Sequence, residues 1–337
     1  MNVLLVLVIS WFVSINYVVS INFRNDLRSI KFVFHHGPNY RDSQRFDLND
    51  SNKILQHPKF DKSRKTLMYM HGYTEGSEVQ SVHVSIEAFL KRREHNIILL
   101  EWSELASGNY FVDAVPNADM IGILAADRLL KMFKNGLDVE KFHLLGHSVG
   151  GQAIGKIGRE VIALSNGKVK LPRITSLDPA FPKYYRDLHI TPISYRDAEF
   201  VDIIHTDSWL YGSPLSAGTV DFWPNGGKSL QPGCPRRQYK QLTQNDLCSH
   251  RRSWILYAES VIDEVPKKFL AVKAKSWDDF KKGRTEPLES YAVMGYNCPT
   301  NLTGNYYLQT NEASPYARGE DGTKYTKVKP KPRDWFK

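Results

Sequence analysis

Apolar residues along the chain form short continuous runs that alternate with longer stretches of helical spacing. Five runs predict buried strands, over residues 65–70, 96–101, 142–145, 170–177 and 198–204. Three stretches between or after them predict amphipathic helices, over residues 79–93, 118–133 and 152–164. Strands and helices that alternate in this way are typical of a mostly parallel sheet with helices on both faces. The pattern therefore predicts an α/β fold.

The pattern changes in the second half of the chain. Residues 207–248 are rich in Gly, Pro and Asn and predict long loops, which in a compact domain usually carry function. Residues 254–261 predict a further helix, and residues 319–337 are polar and basic, which predicts a mobile tail. These features predict one domain over residues 21–318.

The first twenty residues are almost wholly apolar and contain no charged side chain. They fit a membrane helix or a signal peptide, and Val18, Val19 and Ser20 offer small residues for cleavage. We favour a cleaved signal peptide over residues 1–20, although no Lys or Arg lies near the start. Secretion would permit N-glycosylation at the two sequons, which begin at Asn49 and Asn301.

The net charge bears on which macromolecules the chain could bind. The formal net charge is +9 at pH 7, which favours anionic lipid or nucleic acid as a partner, or serves only solubility. Secretion and the lack of an aromatic–basic motif argue against nucleic acid.

The three cysteines are an odd number for a secreted chain. Cys234 and Cys248 are close enough to close a small loop, and we expect Cys298 to be free or paired between molecules.

The motif Gly146-His147-Ser148-Val149-Gly150 lies between a predicted strand and a predicted helix. A G-x-S-x-G turn in this setting is a nucleophile elbow, in which glycines allow the strand and helix backbones to approach closely. The serine is then held at the tip of the strand, near the positive end of the helix. A chance match is the alternative, and the strand–helix context argues against it. We therefore expect Ser148 to be a catalytic nucleophile.

A serine hydroxyl needs a base to remove its proton and an acid to orient that base. After an elbow of this type the acid and then the histidine follow along the chain. Asp178 ends a predicted strand and is preferred to Asp202, which lies inside an apolar run and is expected to face a structural partner. His250 is preferred to His189 and His205 because it lies in a predicted loop beside the cysteine-closed segment. A turn cap for the aspartate and an inert loop histidine are the alternatives.

The reaction also needs donors for a developing oxyanion. The backbone N–H of Val149 is one candidate, and the turn His71-Gly72-Tyr73 after an earlier strand offers the second through the main chain of Tyr73. The Tyr73 side chain would then line an acyl pocket; an ordinary tight turn is the alternative for this segment. No residues have metal-ligand spacing and no glycine-rich phosphate loop is present, so the predicted chemistry needs no metal and no cofactor.

These motifs resemble the pancreatic lipase family of secreted lipid esterases, and the resemblance runs over residues 65–318. The matching stretches are HGYTEG (71–76), GHSVGGQ (146–152), ITSLDPA (174–180), FVDIIHTD (200–207), DFWPNGG (221–227), QPGC (231–234), CSHRRS (248–253) and GNYYLQTN (304–311). The resemblance implies an α/β-hydrolase fold and a lipid interface as partner. It also implies a catalytic triad of Ser148, Asp178 and His250. The two implied oxyanion donors are Tyr73 and Val149.

Three departures from the family pattern stand out. The elbow reads GHSVGG where the family commonly has Leu and then Gly-Ala. Two cysteines often found around Trp277 are absent, and Ala274 and Thr285 stand about where they would be, which leaves Cys298 without its usual kind of partner. The chain stops after the predicted catalytic domain, so colipase dependence is not expected.

The resemblance also bears on the substrate. Cys234 and Cys248 would bracket a lid over residues 235–247, and this lid and the loop 207–220 are short for the family. The lid carries three basic side chains and one acid, which are Arg236, Arg237, Lys240 and Asp246. Short covers accompany phospholipase A1 activity in this family, and basic residues would attract anionic interfaces. We expect a phospholipase A1 or mixed lipase, with a triacylglycerol lipase and a silent lipid-binding, yolk-type storage protein as alternatives.

Overall fold

The computed structural model describes residues 27–187, 190–236, 240–262, 266–286 and 291–327. The predicted signal peptide over residues 1–20 and the candidate base His189 lie outside the described residues. Within these ranges, no helix is both long and apolar enough to cross a membrane.

One mixed sheet forms the centre of the described chain. Its eleven strands are β1 (Lys31–His35), β2 (Ser43–Asp47), β3 (Lys65–Met70), β4 (His95–Glu101), β5 (Phe142–His147), β6 (Arg173–Leu177), β7 (Phe200–Ile204), β8 (Val220–Pro224), β9 (Leu270–Lys273), β10 (Ala292–Val293) and β11 (Gly304–Leu308). Their spatial order is β10-β9-β11-β8-β7-β6-β5-β3-β4-β1-β2. The seven strands from β11 to β4 in this order are parallel to their neighbours, whereas β9, β10, β1 and β2 add antiparallel pairs at the two edges.

Helices cover both faces of this sheet. The α-helices of the described residues are α1 (Gln80–Arg92), α2 (Val115–Lys134), α3 (Val149–Leu164), α4 (Cys248–Val261) and α5 (Trp277–Lys281). Helices α2 and α3 pack together on one face, and α1 and α4 pack together on the other. Shorter helical turns cover Leu27–Ser29, Leu48–Gln56, Tyr110–Ala114, Val139–Lys141, Asn225–Gly227 and Gly319–Thr323.

The central strands contribute side chains to both faces of the sheet, because successive residues of a strand point to opposite sides. Along β3, Met68 and Met70 belong to the core under α2 and α3, whereas Leu67 and Tyr69 belong to the core under α1 and α4. All four side chains are fully buried. A strand buried on both sides has no polar face, which is why it reads as a continuous apolar run. The predicted α/β fold, with a mostly parallel sheet and helices on both faces, is confirmed.

The structure corrects three boundaries of the prediction. Residues 207–248, expected to be mainly loops, contain strand β8, which pairs in parallel with both β7 and β11. Helix α4 starts at Cys248 rather than near residue 254. The segment 319–327, expected to belong to a mobile tail, packs on the domain: Thr323 is buried and the Thr326 N–H donates to Gln309 Oε1 at 2.6 Å. Residues 328–337 lie outside the described residues.

Candidate active site

Ser148 lies in a sharp turn between β5 and α3. Its backbone has φ +57° and ψ −120°, a conformation that a non-glycine residue adopts only under strain. The Ser148 N–H donates to the Leu177 carbonyl at 3.0 Å, which ties the turn to the end of β6. A Cβ on Gly150 would lie 2.4 Å from the carbonyl oxygens of both Met70 and His71. Only glycine fits at this position, because the first turn of α3 contacts the end of β3 directly.

His250 and Asp178 form a hydrogen-bonded pair beside this turn. The His250 Nδ1 lies 2.6 Å from Asp178 Oδ2. The carboxylate is fully buried, and its Oδ1 accepts from the N–H groups of Thr206 at 2.8 Å and Asp207 at 3.1 Å. These three bonds fix the carboxylate. Because the carboxylate can only accept, Nδ1 of His250 carries the proton, and Nε2 is then the unprotonated nitrogen of a neutral imidazole. His250 was expected in a loop, but the structure places it in the first turn of α4.

Ser148 and His250 line the same cavity, whose volume is about 630 Å³. Ser148 is 9% exposed, so little of the nucleophile candidate is open to solvent. Aromatic and aliphatic side chains supply much of its wall, including Tyr73, Val79, Tyr110, Phe111, Leu210 and Leu242. A largely apolar cavity with a few converging polar groups is typical of a small-molecule site.

The two predicted oxyanion donors lie on either side of the serine. Val149 begins α3, and Tyr73 follows a turn so close to the nucleophile that a Cβ on Gly72 would lie 2.9 Å from the Cβ of Ser148. Across the described ranges, neither the Tyr73 N–H nor the Val149 N–H donates to a protein acceptor. Both amides are therefore available to a ligand, and their role in holding an oxyanion stays a prediction.

The competing candidates have structural partners instead. Asp202 accepts two hydrogen bonds at 2.9 Å from Arg173 and one at 2.7 Å from the Thr175 hydroxyl. His205 Nε2 lies 2.7 Å from an Asp221 carboxylate oxygen. Neither Asp202 nor His205 is among the described residues that line the cavity. Asp178 and His250, in contrast, pair with each other at 2.6 Å, and their roles as acid and base stay predictions.

A disulfide closes a segment that contributes to the cavity wall. It joins Cys234 and Cys248, whose Cα atoms are 5.7 Å apart. Four side chains of the enclosed segment line the cavity, which are Gln241, Leu242, Asp246 and Leu247. Asp246 accepts from the Tyr211 hydroxyl and from the Leu242 N–H, so the lid segment is tied to the loop that follows β7.

The remaining residues singled out in the sequence lie away from the Ser148–His250 site or outside the described residues. Cys298 is free and buried, and burial raises the pKa of its thiol, so it is poorly placed to pair between molecules. Both sequon asparagines, Asn49 and Asn301, are exposed. In the part of the chain that the structure describes, no group of three His, Cys, Asp or Glu residues could hold a metal ion. Arg237, assigned to the lid, lies outside the described residues.

Glu75 and His147 are among the residues of the cavity wall that sequence reasoning missed. The Glu75 Oε2 accepts from the Gly72 N–H at 2.7 Å and lies 3.2 Å from His147 Nδ1. Glu75 belongs to the HGYTEG stretch and His147 is the second residue of the elbow motif, so each was visible in a motif. Nothing in the spacing of the sequence indicated that the two side chains meet.

Comparison with known proteins identifies the family of this chain. The family model described as Lipase matches residues 14–316. Pancreatic triacylglycerol lipase of Equus caballus is 30% identical over 290 residues, which cover 78% of this chain and 60% of that protein. Lipase member H of Danio rerio is 30% identical and the overlap covers 77% of this chain and 58% of that protein. Inactive pancreatic lipase-related protein 1 of Homo sapiens is 27% identical, with 88% of this chain and 66% of that protein covered.

The chain spans about 60% of the length of the horse relative. The family model, in contrast, covers most of this chain, including the elbow, the Asp178 turn and the start of α4. The chain therefore belongs to the lipase family, within the pancreatic lipase group that its motifs resemble.

Proposed function

We propose that this chain hydrolyses carboxylic esters of lipids through an acyl-enzyme, with Ser148 as nucleophile, His250 as base and Asp178 as the orienting acid. The observation that carries the proposal is the 2.6 Å contact between His250 Nδ1 and Asp178 Oδ2 beside the cavity that Ser148 lines. A nucleophile on an elbow, a base within the same cavity and an acid that orients the base are the three parts that acyl transfer requires.

The proposed reaction has two halves. His250 Nε2 takes the Ser148 hydroxyl proton while the serine oxygen attacks the fatty-acyl carbonyl, and the Tyr73 and Val149 N–H groups bind the oxyanion. The imidazolium is stabilised by Asp178 and gives its proton to the leaving glycerol oxygen, which produces the acyl-enzyme. Water then attacks in the same way and releases the fatty acid. No metal or cofactor takes part in this scheme.

A storage or lipid-binding role is the alternative from another class. One relative is named an inactive lipase-related protein, so membership of the family does not by itself make the chain a catalyst. Phospholipid-like organophosphates discriminate, because they react covalently only with an activated serine. We expect stoichiometric labelling of the secreted protein, with mass spectrometry locating the adduct on Ser148. An unlabelled but folded protein would favour the binding role.

The substrate preference is proposed to be phospholipid at the sn-1 ester, or a mixture of phospholipid and triglyceride. The short lid segment between Cys234 and Cys248 supports this, because a small cover leaves room for a hydrated headgroup. Arg236, Lys240 and Arg251 are consistent with attraction to an anionic interface. The names of two relatives favour triacylglycerol as the alternative substrate.

A side-by-side assay tests this preference. We expect the secreted protein to release fatty acid from phosphatidylserine vesicles at least as fast as from triolein emulsion, since the basic lid would concentrate it on an anionic surface, and phosphatidylcholine vesicles test the headgroup without that attraction. The positional product identifies the ester: a 2-acyl lysophospholipid marks sn-1 cleavage. Hydrolysis of triolein alone, at equal interfacial area and without colipase, would contradict the phospholipase proposal and support the triacylglycerol lipase.

We also propose that the protein is secreted. The support is the apolar, uncharged segment at residues 1–20, the disulfide between Cys234 and Cys248, and the exposed sequons at Asn49 and Asn301. Disulfides persist mainly in oxidising compartments, and both sequon asparagines are accessible to a glycosyl transferase.

A further inference from the structure

A buried carboxylate lies beside the proposed nucleophile and has no part in the triad. The Glu75 side chain is only 10% exposed and belongs to the turn that follows β3. Burial would raise the pKa of the Glu75 carboxyl, but the His147 ring and the Gly72 N–H outweigh it and lower the pKa to about 2. Glu75 is therefore ionised at neutral pH.

One contact of Glu75 holds the turn that carries an oxyanion donor. Its Oε2 accepts from the Gly72 N–H at 2.7 Å. Gly72 touches the nucleophile, since an added Cβ there would lie 2.9 Å from the Cβ of Ser148, and the next residue is Tyr73. The Gly72 N–H belongs to the peptide just before the one that presents the Tyr73 N–H, and it is held beside Ser148 by the charge-assisted hydrogen bond that it donates to Glu75.

The second contact of Glu75 reaches the proposed base through an intermediate ring. The same Oε2 lies 3.2 Å from His147 Nδ1, and the His147 ring centroid is 4.7 Å from that of His250. The His147 Nε2 is buried and has no hydrogen-bond partner in the described part of the chain, so Glu75 is the group that orients this ring. The Tyr211 ring, at 5.7 Å, flanks His250 as well. The His147 ring thus stands between the Glu75 carboxylate and the His250 ring.

We infer that Glu75 is a positioning residue that couples the Gly72–Tyr73 turn to the His250 imidazole through His147. The inference rests on the proposed function, in which the turn binds the oxyanion and His250 carries the proton. Glu75 acts through these two neighbours, and both halves of the proposed machinery are oriented by one carboxylate oxygen.

The charge of Glu75 has a consequence for the pH dependence. The base works when the imidazole is neutral, so activity falls as the pH drops and the ring is protonated. A nearby negative charge favours the imidazolium; removing it shifts this acid limb to lower pH. The other titratable or charged groups that face His250 from the surrounding elements stay in place, and they are Asp178, His147, Tyr211, Asp246 and Arg251.

Three variants separate position from charge. Glu75→Gln keeps a side-chain oxygen that can accept from both the Gly72 N–H and the His147 Nδ1–H, but removes the charge. Glu75→Ala removes both contacts. Glu78→Gln is the matched control, because Glu78 is exposed on the same loop and does not line the cavity.

We expect Glu75→Ala to lower kcat for a soluble ester by about tenfold or more with little change in KM, because misplaced catalytic groups act on the transition state. Glu75→Gln should recover most of this kcat, and its acid limb should move to lower pH by about half a unit, the scale expected for one partly screened charge. Glu78→Gln should match the wild type in kcat, KM and pH profile.

Two results would overturn the inference. One is a wild-type kcat and pH profile in both Glu75 variants. The other is an equal loss of activity in both variants that follows an equal fall in Tm, which is the result of a purely structural role.

A measurement without turnover separates this inference from the proposed function. Ring-proton NMR in a Ser148→Ala background follows the titration midpoint of His250 with Glu75 or Gln at position 75. A lower midpoint with Gln supports the coupling even if the wild type hydrolyses no ester, in which case the proposed function alone fails. An unchanged midpoint contradicts the electrostatic coupling whether or not the wild type is active.

Discussion

Ser148→Ala is expected to abolish ester hydrolysis, with kcat lower by about 10⁴- to 10⁶-fold, the range seen when serine hydrolases lose the nucleophile. The substitution deletes only the hydroxyl oxygen that would form the acyl-enzyme, and Asp178, His250 and the two backbone amides stay where they are. The measurement is steady-state hydrolysis of a soluble ester and of phospholipid vesicles by the purified secreted protein, with organophosphate labelling as a second readout.

The rest of the molecule should be unaffected by this change. Vesicle adsorption and thermal unfolding should match the wild type, because the Ser148 N–H bond to Leu177 belongs to the backbone and stays in alanine. Ser107→Ala deletes a hydroxyl from an exposed serine outside the cavity wall and should leave turnover unchanged. Hydrolysis by the Ser148 variant at a rate near that of the wild type would assign the chemistry to another residue.

The fold was predictable from sequence because the central strands are buried on both faces. Leu67 and Tyr69 face one core and Met68 and Met70 face the other, so the last four residues of β3 form a continuous buried run that is visible in the sequence. The parallel order of β3, β4, β5 and β6 follows from the helices between these strands, since each crossover needs a long connection. The edge strands have no such signal: β10 spans only Ala292–Val293 and depends on pairing with β9.

Helix α4 shows why a functional element is harder to recognise. Its first half buries Ser249, His250, Arg252 and Ser253, which are polar residues at positions where an ordinary amphipathic helix would bury apolar ones. The helical period is therefore visible only from Trp254 onward, and the sequence indicated a loop around His250. Arg252 is held by the Pro232 carbonyl at 2.9 Å, a contact that no local pattern encodes. The helix is determined by tertiary partners rather than by its own periodicity.

Strand β8 and the Glu75–His147 contact were missed for a related reason. Val220–Pro224 lies in a region of Gly, Pro and Asn, and its buried Asp221 is tolerated because it pairs with His205 across the strand ends. Glu75 and His147 are 72 positions apart and meet because β3 and β5 are adjacent in the sheet. Motifs identify which residues carry chemistry, but strand order decides which of them touch.

Asp178→Asn is expected to lower kcat/KM by about 10³- to 10⁴-fold, as when the acid of a serine triad loses its charge. The amide can still accept from the Thr206 and Asp207 N–H groups through one oxygen, so the fold should persist. Its NH₂ group would then point at His250 Nδ1, which requires the tautomer with the proton on Nε2. That nitrogen could no longer accept the Ser148 proton, and the imidazolium would have no carboxylate to stabilise it. The decisive measurement is kcat/KM for a soluble ester together with Tm.

Asp202→Asn is the matched control, because it makes the same change at the competing aspartate. Asp202 is fully buried and holds Arg173 through two bonds at 2.9 Å, so breaking the pair should lower the free energy of unfolding by about 3–5 kcal/mol. Turnover per folded molecule should stay close to that of the wild type, since neither partner lines the cavity. The two variants therefore have opposite signatures, activity lost with the fold intact and stability lost with activity intact. A folded Asp202 variant without turnover, beside an active Asp178 variant, would move the acid of the proposed triad to β7.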